Sequence, residues 1–240
     1  MEIAQRQEIG GEKEIISREF EIITNPEDWI KWCDAVGDFN PVHRNPEVAR
    51  MYGLEDVIAP MMYLASFSQG KSDNERFEIR WGRNKSRQVV YPGDKVRLIQ
   101  TNGVISYFKG DDEVLVIGSK GEIPPSRENT DVVHRFTTEV LPGRVLSFLD
   151  SLAMETDFRE IPIFYVASLA GSALLDLKKQ ADGECAGIHI YQSFAVYQKP
   201  NFGKMNVLIR QKRIKHGFRI FDMYWLQGEH LAGIGVAKVR

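Results

Sequence analysis

The chain has 240 residues, of which 31 are Lys or Arg and 33 are Asp or Glu, and 43% are hydrophobic. This near-neutral charge, with no run of basic residues interleaved with aromatic ones, argues against a nucleic-acid partner. The N-terminus lacks the apolar core of a signal peptide, and no apolar run approaches the ~18 residues of a membrane span. We therefore expect a cytoplasmic protein without a membrane partner.

The length of the chain and its cysteines indicate the number of domains and the redox compartment. A chain of this length accommodates two domains of about 120 residues each. Cys33 and Cys185 lie far apart and lack the spacing of metal ligands, which fits free thiols in a reducing compartment. The sequence therefore predicts neither a metal site nor a cofactor.

Two helices are predicted near the start of the chain, at residues 26–35 and 46–52. Each follows an Asn that can cap its N-terminus and begins with a Pro at the first helical position. Gly37 and Gly53 follow these helices and can serve as C-terminal caps. Capping thus explains most residues of this region without a functional role.

The loop between these helices holds Asp38, Asn40 and His43. A carboxylate and an imidazole can share one water molecule, so that one group orients or deprotonates it while the other handles the second proton. Such chemistry adds water to a double bond or removes it. Local turn chemistry also explains Asp38 and Asn40, and a lone loop histidine can be solvated or packed.

An internal repeat follows the loop. Residues 60–67 resemble residues 162–169, with Pro, Tyr, Ala and Ser at matching places and apolar residues between them. Each copy starts with Pro and continues as an almost wholly apolar helix, which indicates burial on most sides. Alternating patterns predict strands after each helix and one strand before the second. These strands lie near residues 76–90, 95–106, 113–121, 132–140, 187–197, 205–215, 218–226 and 231–239.

Residues 121–130 are rich in Pro and polar side chains and have no apolar period, which indicates a linker. We therefore divide the chain into residues 1–123, which carry the loop motif, and residues 131–240, which do not. A buried apolar helix wrapped by an antiparallel sheet, present twice, predicts an α+β fold. Its layout is a double hotdog with two antiparallel sheets, each around one central apolar helix.

Residues 29–67 resemble the MaoC-like family of (R)-specific enoyl-CoA hydratases and 3-hydroxyacyl dehydratases. The resemblance rests on Gly-Asp-x-Asn-Pro-x-His at residues 37–43, the following helix, and residues 57–62. The order of elements matches over about the first 120 residues, whereas the second half resembles the family only in architecture. The resemblance implies one site per chain, because the second half lacks the motif.

In this reading Asp38 and His43 are catalytic, one taking a proton from water as it adds to carbon 3 and the other delivering a proton to carbon 2. Asn40 orients Asp38 or the water. The family's oxyanion donor is a backbone amide in a His-Gly-Met segment, which aligns with residues 60–62 and makes the Met61 amide the candidate donor. Pro60 and Met62 then flank the substrate, although Pro60 has no N–H and Met61 stands where glycine is common.

Other residues have weaker roles. Arg83, Lys85 and Arg87 can bind the phosphates of coenzyme A or can be plain surface charge. The remaining predictions concern apolar residues of the second half that either line an acyl tunnel or belong to the core, and histidines that we expect to be packed or solvated. The apolar residues are Ile163, Phe164 and Phe194, and the histidines are His134, His189, His216 and His230.

The leading function is therefore (R)-specific hydration of an enoyl thioester, or dehydration of a 3-hydroxyacyl thioester, in fatty acid metabolism. The thioester can be carried by coenzyme A or by acyl carrier protein. Two alternatives stay open at this point: a hotdog thioesterase, and a non-catalytic acyl-CoA-binding or partner subunit. Two linked hotdogs already supply a pseudo-dimer, and a homodimer of such chains is also compatible with the sequence.

Overall fold

The structure is a computed structural model that describes residues 3–4, 18–69, 76–81, 89–119, 132, 134–154, 160–182, 189–215 and 218–239. The elements of the first half are β1 (Ile3–Ala4), β2 (Arg18–Ile23), α1 (Pro26–Val36), a 3₁₀ turn (Pro41–His43), α2 (Pro46–Met51), α3 (Met61–Ser66), β3 (Arg76–Trp81), β4 (Lys95–Thr101), β5 (Val104–Lys109) and β6 (Asp112–Ser119). In the first half the helices precede a run of strands, as the sequence predicts, and two strands that it did not predict, β1 and β2, come before the helices.

The second half has a similar order of elements, with a longer buried helix and longer strands. Its elements are β7 (His134–Val140), α4 (Pro142–Ser151), α5 (Ile163–Asp182), β8 (His189–Val196), β9 (Gly203–Lys215), β10 (Phe218–Gln227) and β11 (His230–Val239). Among the helices of the described ranges, none combines the length and the apolar character needed to cross a bilayer.

All described strands belong to one antiparallel sheet, in the order β1-β2-β4-β5-β6-β3-β8-β11-β10-β9-β7. Apart from β1, the second half of this order mirrors the first, so the structure contains the same unit twice. Strands β3 and β8 join the units, with Arg76 opposite Ala195 and Arg80 opposite Tyr191. The predicted antiparallel α+β architecture is present, but the two separate sheets are one. Pairing β3 with β8 satisfies backbone groups that two sheet edges would otherwise leave open.

A hairpin divides the segment that we predicted as a single strand over residues 95–106. Asn102 and Gly103 connect β4 to β5 with φ of 51° and 77°. Positive φ at both central residues is what a tight two-residue hairpin requires, and Asn-Gly is its commonest sequence. The single-strand prediction was therefore wrong because this turn signal was overlooked.

Helix α4 was also missing from the sequence prediction. It begins with Pro142 at the first helical position, and Val145, Phe148 and Leu149 form its buried face. This face packs on α1, where the rings of Trp32 and Phe148 lie 6.4 Å apart. Each half thus has a peripheral helix followed by a buried one. The boundary between residues 123 and 131 lies outside the described residues and stays a prediction.

The two halves share one apolar core. All six residues of α3 are buried, and α3 contacts α5, which in turn contacts β7, β8 and β9. The Phe77 ring of the first half stacks on the Phe164 ring of the second at 4.4 Å between centroids. The core therefore continues across the junction of β3 and β8.

Candidate active site

The loop after α1 turns the chain sharply at Gly37, whose φ is 76°. The backbone N–H of Asp38 then donates to the Cys33 carbonyl at 2.8 Å and closes the end of the helix. This φ favours glycine, and a Cβ at residue 37 would also lie 3.3 Å from Oγ of Ser172. Gly37 thus allows α1 to end against α5 with Asp38 beside the junction.

Asn40 shapes the loop from within. Its backbone N–H donates to Oδ1 of Asp38 at 3.1 Å, and its side-chain oxygen accepts from the Val42 N–H at 3.4 Å. Asp38, Asn40 and His43 are each less than a tenth exposed. Backbone capping, which the sequence offered as an alternative explanation of Asp38 and Asn40, is therefore real, and it holds the carboxylate in a buried position.

The imidazole of His43 is fixed through its Nδ1 atom. Nδ1 lies 2.7 Å from the Ile58 carbonyl, and the His43 carbonyl accepts from Nε1 of Trp29 at 3.0 Å. A carbonyl can only accept a hydrogen bond, so Nδ1 carries the proton. In the neutral ring Nε2 then holds a lone pair and can act as a base.

Burial is the main influence on the protonation of His43. Desolvation lowers the pKa of this imidazole below 6.5, although the Asp38 carboxylate and the Ile58 carbonyl both act in the opposite direction. The Arg44 guanidinium, itself paired with Asp34 at 2.6 Å, lowers that pKa further. His43 is therefore neutral at pH 7, as a general base must be.

Asp38 and His43 line the same cavity, which has a volume of about 60 Å³. Both halves of the chain contribute to its wall. Residues from the first half are Trp32, Asp38, Asn40, Val42, His43, Ile58, Ala59, Pro60, Met61 and Met62. Residues from the second half are Ser168, Gly171, Leu174, Leu175, Lys178, His189 and Val239. A space of this size holds a small number of water molecules.

Helix α3 meets the cavity with its N-terminal end. Pro60 precedes the helix in an extended conformation, and Pro60, Met61 and Met62 all line the cavity. The first amides of a helix have no acceptor within that helix. Met61, whose backbone amide the resemblance makes the candidate oxyanion donor, thus begins α3 and lines the cavity.

Comparison with known proteins shows which protein family the first half of the chain resembles. Residues 11–119 match the family model described as MaoC like domain. This part of the chain, called the MaoC-like half below, is therefore similar to the MaoC-like domain family. A UPF0336 protein of Streptomyces avermitilis is 29% identical over 104 aligned residues, and the alignment covers 39% of this chain and 67% of that protein.

Solved structures extend the likeness beyond the MaoC-like half. A MaoC-like dehydratase aligns over 92% of this chain and 97% of its own with a TM-score of 0.65 and 9% identity. A Lactobacillus plantarum protein described as a candidate oleoyl thioesterase aligns over 94% and 95% with a TM-score of 0.54 and 9% identity. At such identities the likeness concerns the fold alone, which is that of MaoC-like hotdog proteins in both halves.

Helix α5 of the second half lies directly against the motif of the MaoC-like half. The Ser172 hydroxyl donates to the Val36 carbonyl at 2.8 Å, and a Cβ at Gly171 would lie 3.4 Å from Oδ2 of Asp38. The sequence predicted only a supporting role for this half. A glycine and a serine inside an apolar helix were the available signal, because small residues permit close approach.

Several predicted residues lie elsewhere. Phe164 and Phe194 belong to the core, and Ile163 packs against it, so the core alternative describes these three better than the tunnel lining. Arg83, Lys85, Arg87, the linker and Cys185 lie outside the described residues. Within the described ranges, no group of three or more His, Cys, Asp or Glu side chains is placed to hold a metal ion.

The histidines of the second half differ in their surroundings. His134 is buried and its Nε2 lies 2.9 Å from Oδ2 of Asp176, whereas His230 is exposed and His216 lies outside the described residues. His189 lines the cavity. Burial lowers its pKa to about 4, against the opposing effects of Asp38 and of a hydrogen bond to the Tyr191 backbone. Sequence reasoning treated His189 as packed or solvated, because no motif relates it to Asp38.

Proposed function

We propose that this protein catalyses the (R)-specific hydration of an enoyl thioester, or the reverse dehydration of a 3-hydroxyacyl thioester. One observation carries the proposal: Asp38 and a neutral His43, whose Nδ1 donates to the Ile58 carbonyl, line the same small cavity. This leaves Nε2 as a base and the carboxylate as an acceptor for one water molecule.

In the proposed reaction, one proton moves from the water to carbon 2 of the substrate through the imidazole of His43. Nε2 of His43 takes a proton from the water as the water oxygen bonds to carbon 3 of the substrate. The electron pair of the double bond moves onto the thioester, and the imidazolium then returns the proton to carbon 2 on the same face. Asp38 accepts the second water hydrogen and stabilises the imidazolium. Dehydration reverses these steps, and acid–base assistance of this kind contributes about 10² to 10⁴ in rate.

The negative charge that develops on the thioester oxygen needs a donor. We assign this role to the Met61 amide, because Met61 is the first residue of α3 and lines the cavity. Pro60 and Met62 then contact the thioester. Asn40 acts on the reaction through Asp38, to which its backbone amide donates.

The apolar wall suits an acyl chain. Leu174 and Leu175 of α5 face the cavity together with Met62 of α3. Ligand sites usually enclose about 300 to 1,000 Å³, so these flexible side chains must move when an acyl group enters the space of about 60 Å³. The carrier, either coenzyme A or acyl carrier protein, contacts the protein beyond this cavity.

The decisive experiment is a hydration assay. Purified protein is mixed with crotonyl-CoA and longer enoyl-CoA substrates, and loss of the enoyl absorbance is followed. The Asp38→Asn and His43→Ala proteins should lose about 10² to 10⁴ in rate while they remain folded. Asp111→Asn and His230→Ala, at exposed positions, are matched controls and should retain wild-type rates. Wild-type turnover by both site variants would contradict the assignment.

A second candidate is a thioesterase, which the fold shared with the Lactobacillus plantarum protein makes worth testing. Thioester hydrolysis releases a free thiol, whereas hydration leaves the thioester intact. A thiol-trapping reagent added to the same reactions therefore separates the two activities. Tight acyl-CoA binding without either product would instead select the non-catalytic subunit.

A further inference from the structure

One face of α5 runs along the cavity. The α5 residues that line it recur at the helical spacing of three to four residues, which places them on the same side of the helix. They are Ser168, Gly171, Leu174, Leu175 and Lys178. Ser168 is buried, whereas Lys178 is partly exposed. The cavity therefore has its closed end near Ser168 and its mouth near Lys178.

The carboxylate of Asp38 marks the level of the reaction along this face. It lies beside Gly171, where a Cβ would be 3.4 Å from Oδ2 of Asp38. The carrier of the thioester is far larger than a cavity of about 60 Å³, so its bulk stays outside the mouth. The part of the acyl chain beyond carbon 3 therefore points inward, from Gly171 toward Ser168.

The ring of Trp32 closes the cavity at its inner end. Trp32 lines the cavity although it is 0% exposed. Its ring packs on that of Phe148, with 6.4 Å between centroids. Phe148 in turn meets the ring of Tyr165 edge-on at 5.5 Å, one turn before Ser168 on α5. These contacts place the indole at the buried end of the α5 face.

Hydrogen bonds and aromatic contacts hold this indole in place. Its Nε1 donates to Oγ of Ser66 at 3.2 Å, and that hydroxyl donates to the Met62 carbonyl at 2.6 Å. The ring of Tyr63 meets the indole edge-on at 6.1 Å. Rotation of Trp32 would leave its buried N–H without an acceptor, which costs free energy. The leucines of α5 have no polar atom to hold them, so they can move where the indole cannot.

The distance between the carboxylate and the closed end limits the acyl chain. Gly171 and Ser168 are separated by three residues of helix, or about 4.5 Å along its axis. An extended polypeptide advances about 3.6 Å over its three backbone bonds, which is about 1.2 Å per bond. At about the same advance per bond, about three carbons fit beyond carbon 3.

We propose that Trp32 ends the acyl pocket and makes this protein selective for short enoyl thioesters, of about four to six carbons. The inference rests on the proposed hydration reaction and names the substrate class of the same site. A longer chain meets the indole before its thioester reaches the Met61 amide. Trp32 is thus a specificity-determining residue that contacts the end of the acyl chain.

The first test is the chain-length profile of the wild-type protein, which needs no variant. Hydration is measured on crotonyl-CoA, hexenoyl-CoA, octenoyl-CoA and decenoyl-CoA. One methylene that a pocket discriminates against changes kcat/KM by about 10- to 200-fold. We therefore expect kcat/KM to fall at least about 10-fold between hexenoyl-CoA and octenoyl-CoA. An equal or higher value on octenoyl-CoA would overturn the inference.

The second test removes the indole. In Trp32→Leu the ratio of kcat/KM on octenoyl-CoA to that on crotonyl-CoA should rise at least about 10-fold. Trp32→Phe, which keeps an aromatic ring in the core, should raise it less. Trp225→Leu is the matched control, because Trp225 is equally buried but packs on Phe194 and does not line the cavity. It should keep the wild-type ratio, and folded Trp32 variants that also keep it would contradict the inference.

Binding separates this inference from the proposed function. Titration calorimetry with butyryl-CoA and octanoyl-CoA requires no turnover. The wild type should bind butyryl-CoA at least about 10-fold more tightly, and Trp32→Leu should lose this preference. A wild-type protein with this preference but without hydration activity would refute the proposed function and support the pocket assignment. Equal affinity for the two thioesters, or binding of neither, would refute the pocket assignment itself.

Discussion

Gly171 of α5 lies against Asp38 of the MaoC-like half, so that a Cβ at residue 171 would be 3.4 Å from Oδ2 of the carboxylate. The two residues belong to different halves of the chain. The second half therefore borders the candidate catalytic carboxylate itself, in addition to completing the sheet.

Gly171→Ala should lower the activity of the protein without lowering its stability. The new methyl group would contact Oδ2 of Asp38 and occupy space beside it that water would otherwise use. We expect kcat to fall at least several-fold. Stability should be unchanged or rise by about 0.5 to 1 kcal/mol, because Ala is the better helix residue.

Thermal unfolding and the hydration assay together check this prediction. Gly143→Ala on α4 is the matched control, because nothing lies within 4 Å of a Cβ at that helical position. A Gly171→Ala protein with full activity would show that the approach to Asp38 has no consequence for the reaction.

Ser172→Ala should destabilise the contact between the halves. The Ser172 hydroxyl donates to the buried Val36 carbonyl at 2.8 Å, and its removal leaves that acceptor without this donor. We expect a loss of about 1 to 3 kcal/mol in the free energy of unfolding. Urea titration measures it, with Ser147→Ala as control, since the exposed Ser147 hydroxyl donates to the Gly143 carbonyl within its own helix. Equal losses in the two variants would contradict the prediction.

Phe164→Ala should weaken the shared core. Its ring stacks on Phe77 across the junction of β3 and β8, and loss of a buried aromatic side chain costs about 3 to 5 kcal/mol. Because the sheet and core are continuous, we expect one cooperative urea transition at a lower midpoint. Two separate transitions, one for each half, would show that the halves are energetically independent.

Stability should fall as the pH falls from about 6.5 toward 4. Burial lowers the pKa of both His43 and His189, whereas the same side chains in the unfolded chain have the ordinary value near 6.5. Between these values the unfolded state binds more protons, so acid favours it. Stability from the neutral imidazoles is thus fully present above about pH 6.5.

Unfolding free energies measured across this pH range test the prediction. His189→Gln removes one of the two imidazoles whose pKa is lowered by burial, so its stability should depend less steeply on pH than that of the wild type. His230→Gln, at an exposed position, should leave the dependence unchanged. Identical slopes in His189→Gln and the wild type would show that His189 does not titrate in this way.

Local chemistry made much of the first half predictable. The Asn caps and Pro starts of α1 and α2, the left-handed Gly37 and the repeated apolar helices are all determined by neighbouring residues. The prediction failed where a local signal was overlooked, as at Asn102-Gly103 and at the start of α4. The spacing of Asp38, Asn40 and His43 identified three residues that line the cavity.

The rest of the site depends on contacts between residues that are distant in sequence. Gly171, Ser172 and His189 approach the motif because α5 packs against α1 and because β8 pairs with β3. Neither the periodicity of apolar residues nor the spacing of motif residues predicts such long-range contacts. The single sheet was unpredictable for the same reason. The alternation of apolar and polar residues in a strand does not depend on whether another strand pairs with its edge.

The pairing of β3 with β8 also fixes a stoichiometry. A motif-bearing unit and a motif-free unit are always present one to one, because one polypeptide carries both, and the pairing of β3 with β8 joins them in one sheet. Sequence changes in one unit therefore leave its twin untouched, which a symmetric assembly of identical subunits cannot achieve. Under the proposed function, such a tandem arrangement allows one unit to specialise in reaction chemistry and the other in shaping the space that the substrate enters.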